Sequence, residues 1–331
     1  MFRVQSRMEL VDRVLAGDQR AIARAISVVE AETREAWELL RSLFRAAGKA
    51  RIIGVTGSPG VGKSTLVDRL TTEWRQLGLT VGILAIDPTS PYTGGAILGD
   101  RVRMQSHADD AGVYVRSMAT RGHLGGLTRA TGDALLVLDA SGKDIVVIET
   151  VGVGQGEVEV AGTADVSIVV TVPGTGDDVQ AIKAGIMEIA DIFVVNKADR
   201  DGSDRAVTEI ENMLALGHDF GTNTPRVLKT RAATGEGVTE LVDAIDSVVL
   251  VSSRGKGREI ERTRVRLRTI LLDRFLRLVG PSEIDEAVEG IIKRSDNPYQ
   301  IAEEIIERLV GTTSTGTLLS GNDREDNISR K

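Results

Sequence analysis

The sequence contains no cysteine, and only three of its 331 residues are histidine. Without cysteine the chain can form no disulfide, no iron–sulfur cluster and no thiolate zinc site. The histidines, at positions 107, 123 and 218, do not form a ligand-spaced pair. Absence of thiols suits a reducing compartment, so we expect a cytoplasmic protein.

Long apolar runs and an excess of positive charge are also missing. No stretch reaches the length of a membrane span, and the N-terminal segment "MFRVQSRMELVDRVLAGDQR" has no apolar signal core, so we expect neither membrane insertion nor secretion. The formal net charge of −7 argues against nucleic acid or an anionic membrane as the main partner. The hydrophobic content of 41% and charged content of 27% are typical of a globular protein.

From Arg51 onwards the sequence alternates between short β-rich runs and helical patterns. The runs are "RIIGVTG", "TVGILAID", "GVYVRSM", "DIVVIET", "DVSIVVTV", "DIFVVNKAD" and "PRVLKT". Near-continuous apolar strands separated by helices predict a mostly parallel sheet that is covered on both faces. This is the doubly wound α/β architecture, and we expect it to span residues 49–252.

Helical patterns flank the α/β region on both sides. Apolar residues recur at helical spacing over residues 6–48, which predicts an N-terminal helical extension over residues 1–48. Three helical segments (259–278, 282–293 and 298–310) predict a C-terminal arm over residues 253–311. Its candidate buried positions are Val265, Ile270, Leu271 and Phe275. The polar tail, residues 312–331, is rich in Gly, Ser and Thr and is predicted to be disordered.

The segment "GSPGVGKST", residues 57–65, contains the phosphate-binding pattern G-x-x-x-x-G-K-[ST] between a predicted strand and a predicted helix. Backbone N–H groups of such a loop, together with the positive end of the helix dipole, bind phosphate oxygens. We expect Lys63 to reach the β- and γ-phosphates, Ser64 to bind Mg²⁺ and Thr65 to lie near the α-phosphate. The residues expected to bind nucleotide here are Gly57, Ser58, Gly60, Val61, Gly62, Lys63, Ser64 and Thr65.

The segment "NKAD", Asn196 to Asp199, ends a predicted strand and indicates the base that is bound. A carboxylate at Asp199 can accept two hydrogen bonds from guanine N1 and N2, whereas adenine would leave it unpaired. The aliphatic part of Lys197 can lie along the base. In the next loop, "TRAATGEG", Ala232 and Ala233 can close the base pocket with backbone N–H groups. Arg231 departs from the serine that small GTPases usually have there.

Two segments predict the magnesium side of a GTPase site. "ETVG" has the form of the D-x-x-G motif, with Glu149 in place of aspartate, and the longer side chain favours contact with the metal through water. "AIDPTSPYTGGAILGDRVRM", residues 85–104, carries Asp87 and Asp100 around a loop that can order about Mg²⁺ and the γ-phosphate. The expected metal residues are therefore Ser64, Asp87, Asp100 and Glu149.

Other charged residues in these segments have more than one interpretation. Arg103 either contacts phosphate or holds its helix, and for Arg101 we favour the structural role. The segment "PGTGDDVQAIKAGIMEIAD", residues 173–191, begins with Asp177 and Asp178 and includes Lys183. These charges mark either a solvated helix start or a third mobile element that reports the state of the nucleotide.

The catalytic water also has no obvious partner in the sequence. Ras-like GTPases place a water-orienting glutamine directly after the D-x-x-G glycine, and here that position is Val153. Gln155 follows two residues later in a glycine-rich run. We therefore expect slow hydrolysis by the chain alone.

Several segments together resemble the MeaB/ArgK family of G-proteins, which accompany methylmalonyl-CoA mutase. They are "RVLAGDQRAIARAISVVE", "GSPGVGKST", "DPTSPYTGGAILGDRVRM", "RGHLGGLTRAT", "ETVGVGQGEVEVA" and "PGTGDDVQAIKAGIMEIADIFVVNKAD". The likeness covers roughly residues 8–240. The segment "LGHDFGTNTPRVLKTRAATGEG" departs from the more typical Pro- and Trp-containing one, and the C-terminal helices are only loosely similar.

The resemblance implies a homodimeric P-loop GTPase that uses GTP and Mg²⁺. Members of the family are chaperones of adenosylcobalamin-dependent acyl-CoA mutases; they gate cofactor loading and protect the mutase. On this basis residues 253–311 would be the dimerisation arm. The catalytic residues implied are Lys63, Asp100, Glu149, Asp177 and Lys183, with Asp177 and Lys183 in the third switch.

Three other functions compete with this interpretation. The ArgK name implies an ATP- or GTP-dependent protein kinase of amino-acid transport, but "NKAD" argues against ATP, and no acidic base is placed as in a protein kinase. A nickel-delivery GTPase would need cysteine and histidine to carry the metal. A nucleotide-binding scaffold without hydrolysis would not need the full set of acids on the magnesium side.

Overall fold

The structure is a computed structural model. It describes residues 2–31, 33–87, 105–119, 129–150, 162–174, 190–217, 224–252, 257–295 and 297–313. The chain divides into two compact units, Met1–Arg262 and Thr263–Lys331.

The first unit is built on a seven-stranded parallel sheet, and each of the seven predicted runs corresponds to one strand. The strands are β1 (Arg51–Thr56), β2 (Val81–Asp87), β3 (Val113–Ala119), β4 (Ile145–Thr150), β5 (Val166–Thr171), β6 (Ile192–Val195) and β7 (Arg226–Lys229). Their order is β3-β2-β4-β1-β5-β6-β7. The central strand β1 lies between β4 and β5, with both pairings parallel. In such a sheet, ligands bind at the carboxyl ends of the strands where the order reverses, which here is the end of β1.

Helices cover both faces of this sheet. They are α1 (Phe2–Leu15), α2 (Gln19–Glu30), α3 (Arg34–Leu43), α4 (Lys63–Gln76), α5 (Arg129–Ala140), α6 (Ser203–Gly217) and α7 (Val238–Ser252). Side chains alternate between the faces along each strand. Val147 of β4 therefore packs in the cluster with α4 and α7, whereas Val146 and Ile148 pack in the cluster with α1, α2, α3 and α5. Because both faces are buried, every residue of β4 is apolar or buried, as the sequence predicted.

The N-terminal extension forms three helices of the predicted type, separated by two short breaks. Asp18 caps α2, since its carboxylate accepts a hydrogen bond from Ala21 N at 2.9 Å. Thr33 caps α3 through Ala36 N at 3.4 Å. These caps supply partners for the first amides of each helix, which have none within the helix. The apolar faces share one core with α5 and β4, so these helices belong to the same unit as the sheet.

Hydrogen bonds made by charged residues connect the amino ends of the strands, at the edge of the sheet opposite to the predicted site. Arg75 hydrogen-bonds Asp110 and thereby holds the pKa of that carboxyl below its usual value. The Thr80 N–H, at 2.7 Å from Asp144, lowers the pKa of Asp144 in the same way. Burial lowers the pKa of Lys143, whose ammonium donates to Gly112 O. These contacts stabilise this edge of the fold and leave the carboxyl edge to the site.

The predicted C-terminal helices are α8 (Gly257–Val279), α9 (Pro281–Ile292) and α10 (Pro298–Thr313), and the second unit begins within α8, at Thr263. Arg308 of α10 pairs with Glu283 of α9. The prediction of buried positions in α8 was wrong for three of the four residues in the single chain, because Val265, Leu271 and Phe275 are 52%, 57% and 37% exposed; the fourth, Ile270, is half-buried. Further apolar residues of α8, among them Leu267, Leu272 and Leu276, are also more than half exposed. None of the helices that the structure describes is long and apolar enough to cross a bilayer.

Candidate nucleotide-binding site

The phosphate loop lies where the sequence predicted it, between β1 and α4. Strand β1 ends at Thr56, and α4 begins at Lys63. The Thr150 hydroxyl, at the end of β4, donates to the Thr56 hydroxyl at 3.0 Å. The loop therefore starts from two strand ends that are tied together at the carboxyl edge of the sheet.

Two glycines of the loop are required by the neighbouring backbone and side chains. Gly57 has φ +137°, and a Cβ on it would lie 2.0 Å from Val170 O of β5. Gly62 has φ +97°, and a Cβ there would lie 2.5 Å from Asn196 Nδ2. Only glycine combines these left-handed conformations with such close contacts. The sequence predicted glycine here for approach of the phosphates; the structure adds that the loop itself must pack closely on β5 and on Asn196.

Lys63 and Ser64 lie at the first turn of α4. The Lys63 ammonium is buried and donates to Gly57 O at 2.5 Å and to Ser58 O at 2.9 Å, so it lies over the loop. The backbone amides at this helix start and the ammonium make the loop electropositive. Thr65 is exposed beside them. The arrangement fits a polyphosphate, and binding of one by these residues stays a prediction.

Ser64 and Glu149 form the described part of the predicted metal site. The Ser64 hydroxyl donates to Glu149 Oε1 at 2.6 Å, and the two side chains are 8% and 6% exposed. Hydroxyl and carboxylate oxygens are the ligands that Mg²⁺ prefers, and Mg²⁺ usually completes its shell with water and phosphate oxygens. The residues present therefore fit this ion. Within the described residues no group of three or more His, Asp or Glu side chains could hold a metal by itself.

Of the two other acids predicted to bind the metal, Asp87 and Asp100, only Asp87 lies within the described residues. The Asp87 backbone ends β2 beside β4, where Ala85 pairs with Glu149 and Ile86 with Thr150. Asp87 thus ends its strand at the same edge of the sheet as Glu149, and its role as a metal residue stays a prediction. Asp100, Asp177 and Lys183 lie outside the described residues, and so do Arg103, Val153 and Gln155.

Asn196 joins three segments of the site. Its Nδ2 donates to Val61 O at 2.8 Å in the phosphate loop. Its Oδ1 accepts from Thr230 Oγ1 and from Ala232 N, each at 3.1 Å. Only 2% of the residue is exposed. Asn196 therefore fixes the phosphate loop and the 230–237 loop relative to each other, a role that the motif alone did not reveal.

Lys197 and Asp199 follow Asn196 where the chain leaves β6. Lys197 has φ +55°, an uncommon conformation for a residue with a side chain, and its ammonium donates to Gly60 O at 2.7 Å. Its aliphatic stem thus runs beside the phosphate loop. Asp199 is 44% exposed and lies 3.5 Å from the Nε of Arg231. The residue that departs from the usual serine therefore contacts the carboxylate that we expect to read the base.

Arg69 of α4 holds the 230–237 loop, a contact that the sequence did not predict. Its Nε donates to Ala232 O at 3.1 Å and its Nη2 to Ala233 O at 3.0 Å. The two residues are 163 and 164 positions apart from Arg69 in sequence, so no local pattern signals the contact. The structure thus places Ala232 and Ala233 against α4 and Ala232 against Asn196, whereas their contact with a base stays a prediction.

Comparison with known proteins gives a consistent set of relatives. The family described as methylmalonyl Co-A mutase-associated GTPase MeaB matches residues 22–280. A protein of Pyrococcus horikoshii that is named as a GTPase is 47% identical over 314 residues, 92% of this chain and 98% of that protein. GTPase ArgK of Escherichia coli is 35% identical over 263 residues, which are 77% of this chain and 80% of ArgK.

A mitochondrial relative and a solved structure extend the comparison. The methylmalonic aciduria type A homolog of Caenorhabditis elegans is 34% identical over 275 residues, 77% of this chain and 68% of that protein. A crystal structure described as a LAO/AO transport system kinase superposes with a TM-score of 0.68 at 25% identity, covering 92% of this chain and 98% of the other. The doubly wound fold predicted from the sequence is thereby confirmed.

Proposed function

Because the chain belongs to the MeaB family of methylmalonyl-CoA mutase-associated GTPases, we propose that it binds GTP with Mg²⁺ and hydrolyses it to GDP and phosphate. We further propose that it serves as a chaperone of an adenosylcobalamin-dependent acyl-CoA mutase, gating cofactor loading and protecting the mutase. The family description and the name of the nematode relative support the choice of partner.

The observation that carries the nucleotide part of the proposal is the Asn196 connection. One buried amide joins the phosphate loop to the loop that carries Ala232, and Asp199 follows it three residues later on the same strand exit. This connection supports the proposal that phosphate and base are recognised at a single site. Since a carboxylate accepts two hydrogen bonds from guanine and none from adenine, this site suits GTP.

In this proposal the residues of the phosphate loop bind phosphate, and the residues on the magnesium side bind the ion. The Lys63 ammonium and the loop amides hold the β- and γ-phosphates and stabilise the charge that grows on them during hydrolysis. Ser64, Glu149, Asp87 and Asp100 hold Mg²⁺, directly or through water. The bound ion neutralises phosphate charge and orients the γ-phosphate.

Coupling to the mutase is assigned to the segment with Asp177 and Lys183. Val153 carries no group that can orient a water, so the chain alone is expected to hydrolyse GTP slowly. A mutase that orders this segment beside the nucleotide would supply the missing stabilisation. The mutase would then raise the rate of hydrolysis, and the nucleotide state would alter cobalamin transfer.

The test is steady-state hydrolysis of GTP and of ATP, with and without the purified mutase from the same source. We expect GTP to be preferred, the mutase to stimulate hydrolysis, and Lys63→Ala to lower the rate by about 100-fold or more. Asp177→Ala and Lys183→Ala should keep nucleotide affinity and lose the stimulation. An unchanged rate with the mutase refutes the coupling, and transfer of phosphate to a protein instead of water would favour the kinase alternative.

The homodimer is proposed from the exposed apolar surface of α8. Leu271, Leu272, Leu276 and Leu278 are between 55% and 68% exposed in the single chain. Apolar side chains in such number on one helix mark an interaction surface, and a second copy of the chain would bury them. Light scattering should give twice the mass of the chain, and Leu272→Glu should reduce it to one chain. A monomeric wild-type protein at micromolar concentration would contradict this assignment.

A further inference from the structure

The loop that closes the base side of the site is held by a side chain from the phosphate-binding helix. Arg69 lies six residues after Lys63 on α4, and its guanidinium donates to two consecutive carbonyl groups, those of Ala232 and Ala233. The planar guanidinium presents its donors in a fixed geometry. Its contact with both carbonyls therefore fixes the orientation of the peptide group that joins Ala232 to Ala233.

That orientation determines where the amides of the loop point. Four of the five amides from residue 231 to residue 235 already have partners within the protein. Arg231 N donates to Glu236 O, Ala232 N to Asn196 Oδ1, and the amides of residues 234 and 235 both donate to Arg231 O. Among the described residues, the Ala233 N–H is the one amide of this run with no hydrogen bond, and Ala233 is exposed.

The Ala233 N–H points away from α4. The peptide bonds of the described residues are all trans, and in a trans peptide the C=O and the following N–H point in opposite directions. Since Arg69 draws Ala232 O toward α4, the next N–H faces the other way. The Arg231–Asp199 ion pair places the base-reading carboxylate beside this loop.

We propose that Arg69 is a positioning residue for guanine recognition, which fixes the Ala233 N–H as the donor to O6 of the base. This inference rests on the proposed binding of guanine nucleotides and explains how the site reads a third atom of guanine. N2, N1 and O6 lie along one edge of the base. Asp199 accepts from the first two, and a donor is needed for the third because O6 is an acceptor. Adenine carries an amino group at that position, which faces the N–H unfavourably.

The test compares three diphosphates on wild type, Arg69→Ala and Arg69→Lys. GDP and IDP both carry O6, whereas 2,6-diaminopurine riboside diphosphate has an amino group there. Affinities are measured by displacement of a fluorescent GDP, an assay that also detects weakly bound ligands. We expect Arg69→Ala to lower the affinity for GDP and for IDP by about tenfold each, which corresponds to the loss of one hydrogen bond. The affinity for the diaminopurine ligand should change by less than about twofold. Lysine cannot span both carbonyls, so Arg69→Lys should restore part of the loss.

Arg75→Ala is the matched control, because Arg75 lies on the same helix and contacts Asp110 and Leu79 O at the opposite edge of the sheet. It should lower thermal stability and leave the ratio between the three ligands unchanged. An equal loss for all three ligands in Arg69→Ala, or no loss for GDP, overturns the assignment while the proposed function stands. A wild-type chain that binds GDP no better than ADP overturns the proposed function, and this assignment with it.

Discussion

Replacement of Asn196 by alanine should destabilise the protein even when no nucleotide is added. The side chain makes three hydrogen bonds, to Val61 O, Thr230 Oγ1 and Ala232 N, and is almost completely buried. A buried hydrogen bond contributes about 1 kcal/mol net, and a buried group that loses its partner costs about 1–3 kcal/mol. Three lost contacts therefore predict a decrease of about 3–5 kcal/mol in the free energy of unfolding. Folded domains have only about 5–15 kcal/mol in total.

Urea unfolding of the nucleotide-free protein measures this free energy directly. Asp199→Ala is the control on the same loop, since Asp199 is half-exposed and its ion pair with Arg231 is long at 3.5 Å. Such pairs contribute little, so the control should change the unfolding free energy by less than about 0.5 kcal/mol and yet lose the preference for GTP over ATP. Asn196→Asp keeps the acceptor but places a carboxylate oxygen against Val61 O, so it should also be destabilising.

On this account Asn196 acts first on the stability of the fold, and only through the fold on recognition of the base. If Asn196→Ala unfolds at the same urea concentration as wild type, the connection between the two loops contributes nothing and the reasoning is refuted. If Asp199→Ala is destabilised as strongly as Asn196→Ala, the separation between a supporting and a reading residue is wrong.

Three further predictions address the phosphate loop, the base and the amino edge of the sheet. Gly57→Ala should abolish nucleotide binding and lower thermal stability, because its Cβ would lie 2.0 Å from Val170 O; normal GTP affinity would show that the loop can shift. Asp199→Asn should weaken GTP and favour xanthosine triphosphate, since the amide replaces an acceptor by a donor, and unchanged GTP affinity in a displacement assay would contradict the guanine assignment. Asp144→Asn should lower the unfolding free energy near pH 7. The pKa of Asp144 is lowered by the Thr80 N–H, so its contribution is present above about pH 5 and is lost as the pH falls below about 4; a difference from wild type that stays constant from pH 7 to pH 3 would show that this carboxylate does not stabilise the fold.

The sequence by itself determined the sheet, the phosphate loop and the "NKAD" position. Each of these is a local signal: a β-rich run buried on both faces, a glycine pattern at a strand-to-helix turn, or a polar segment that ends a strand. Local signals of this kind do not depend on which distant segment becomes a neighbour, so they could be identified from a single sequence.

Only the tertiary structure decided how these segments are held together. The hydrogen bonds of Asn196 and Arg69 to the 230–237 loop join residues far apart in the chain, and the strand order that brings them together is not encoded in any short pattern. The same limit explains the wrong assignment of buried positions in α8. Apolar spacing shows that a helix has a face to bury, but whether the chain itself covers that face depends on the arrangement of every other helix, which periodicity does not contain.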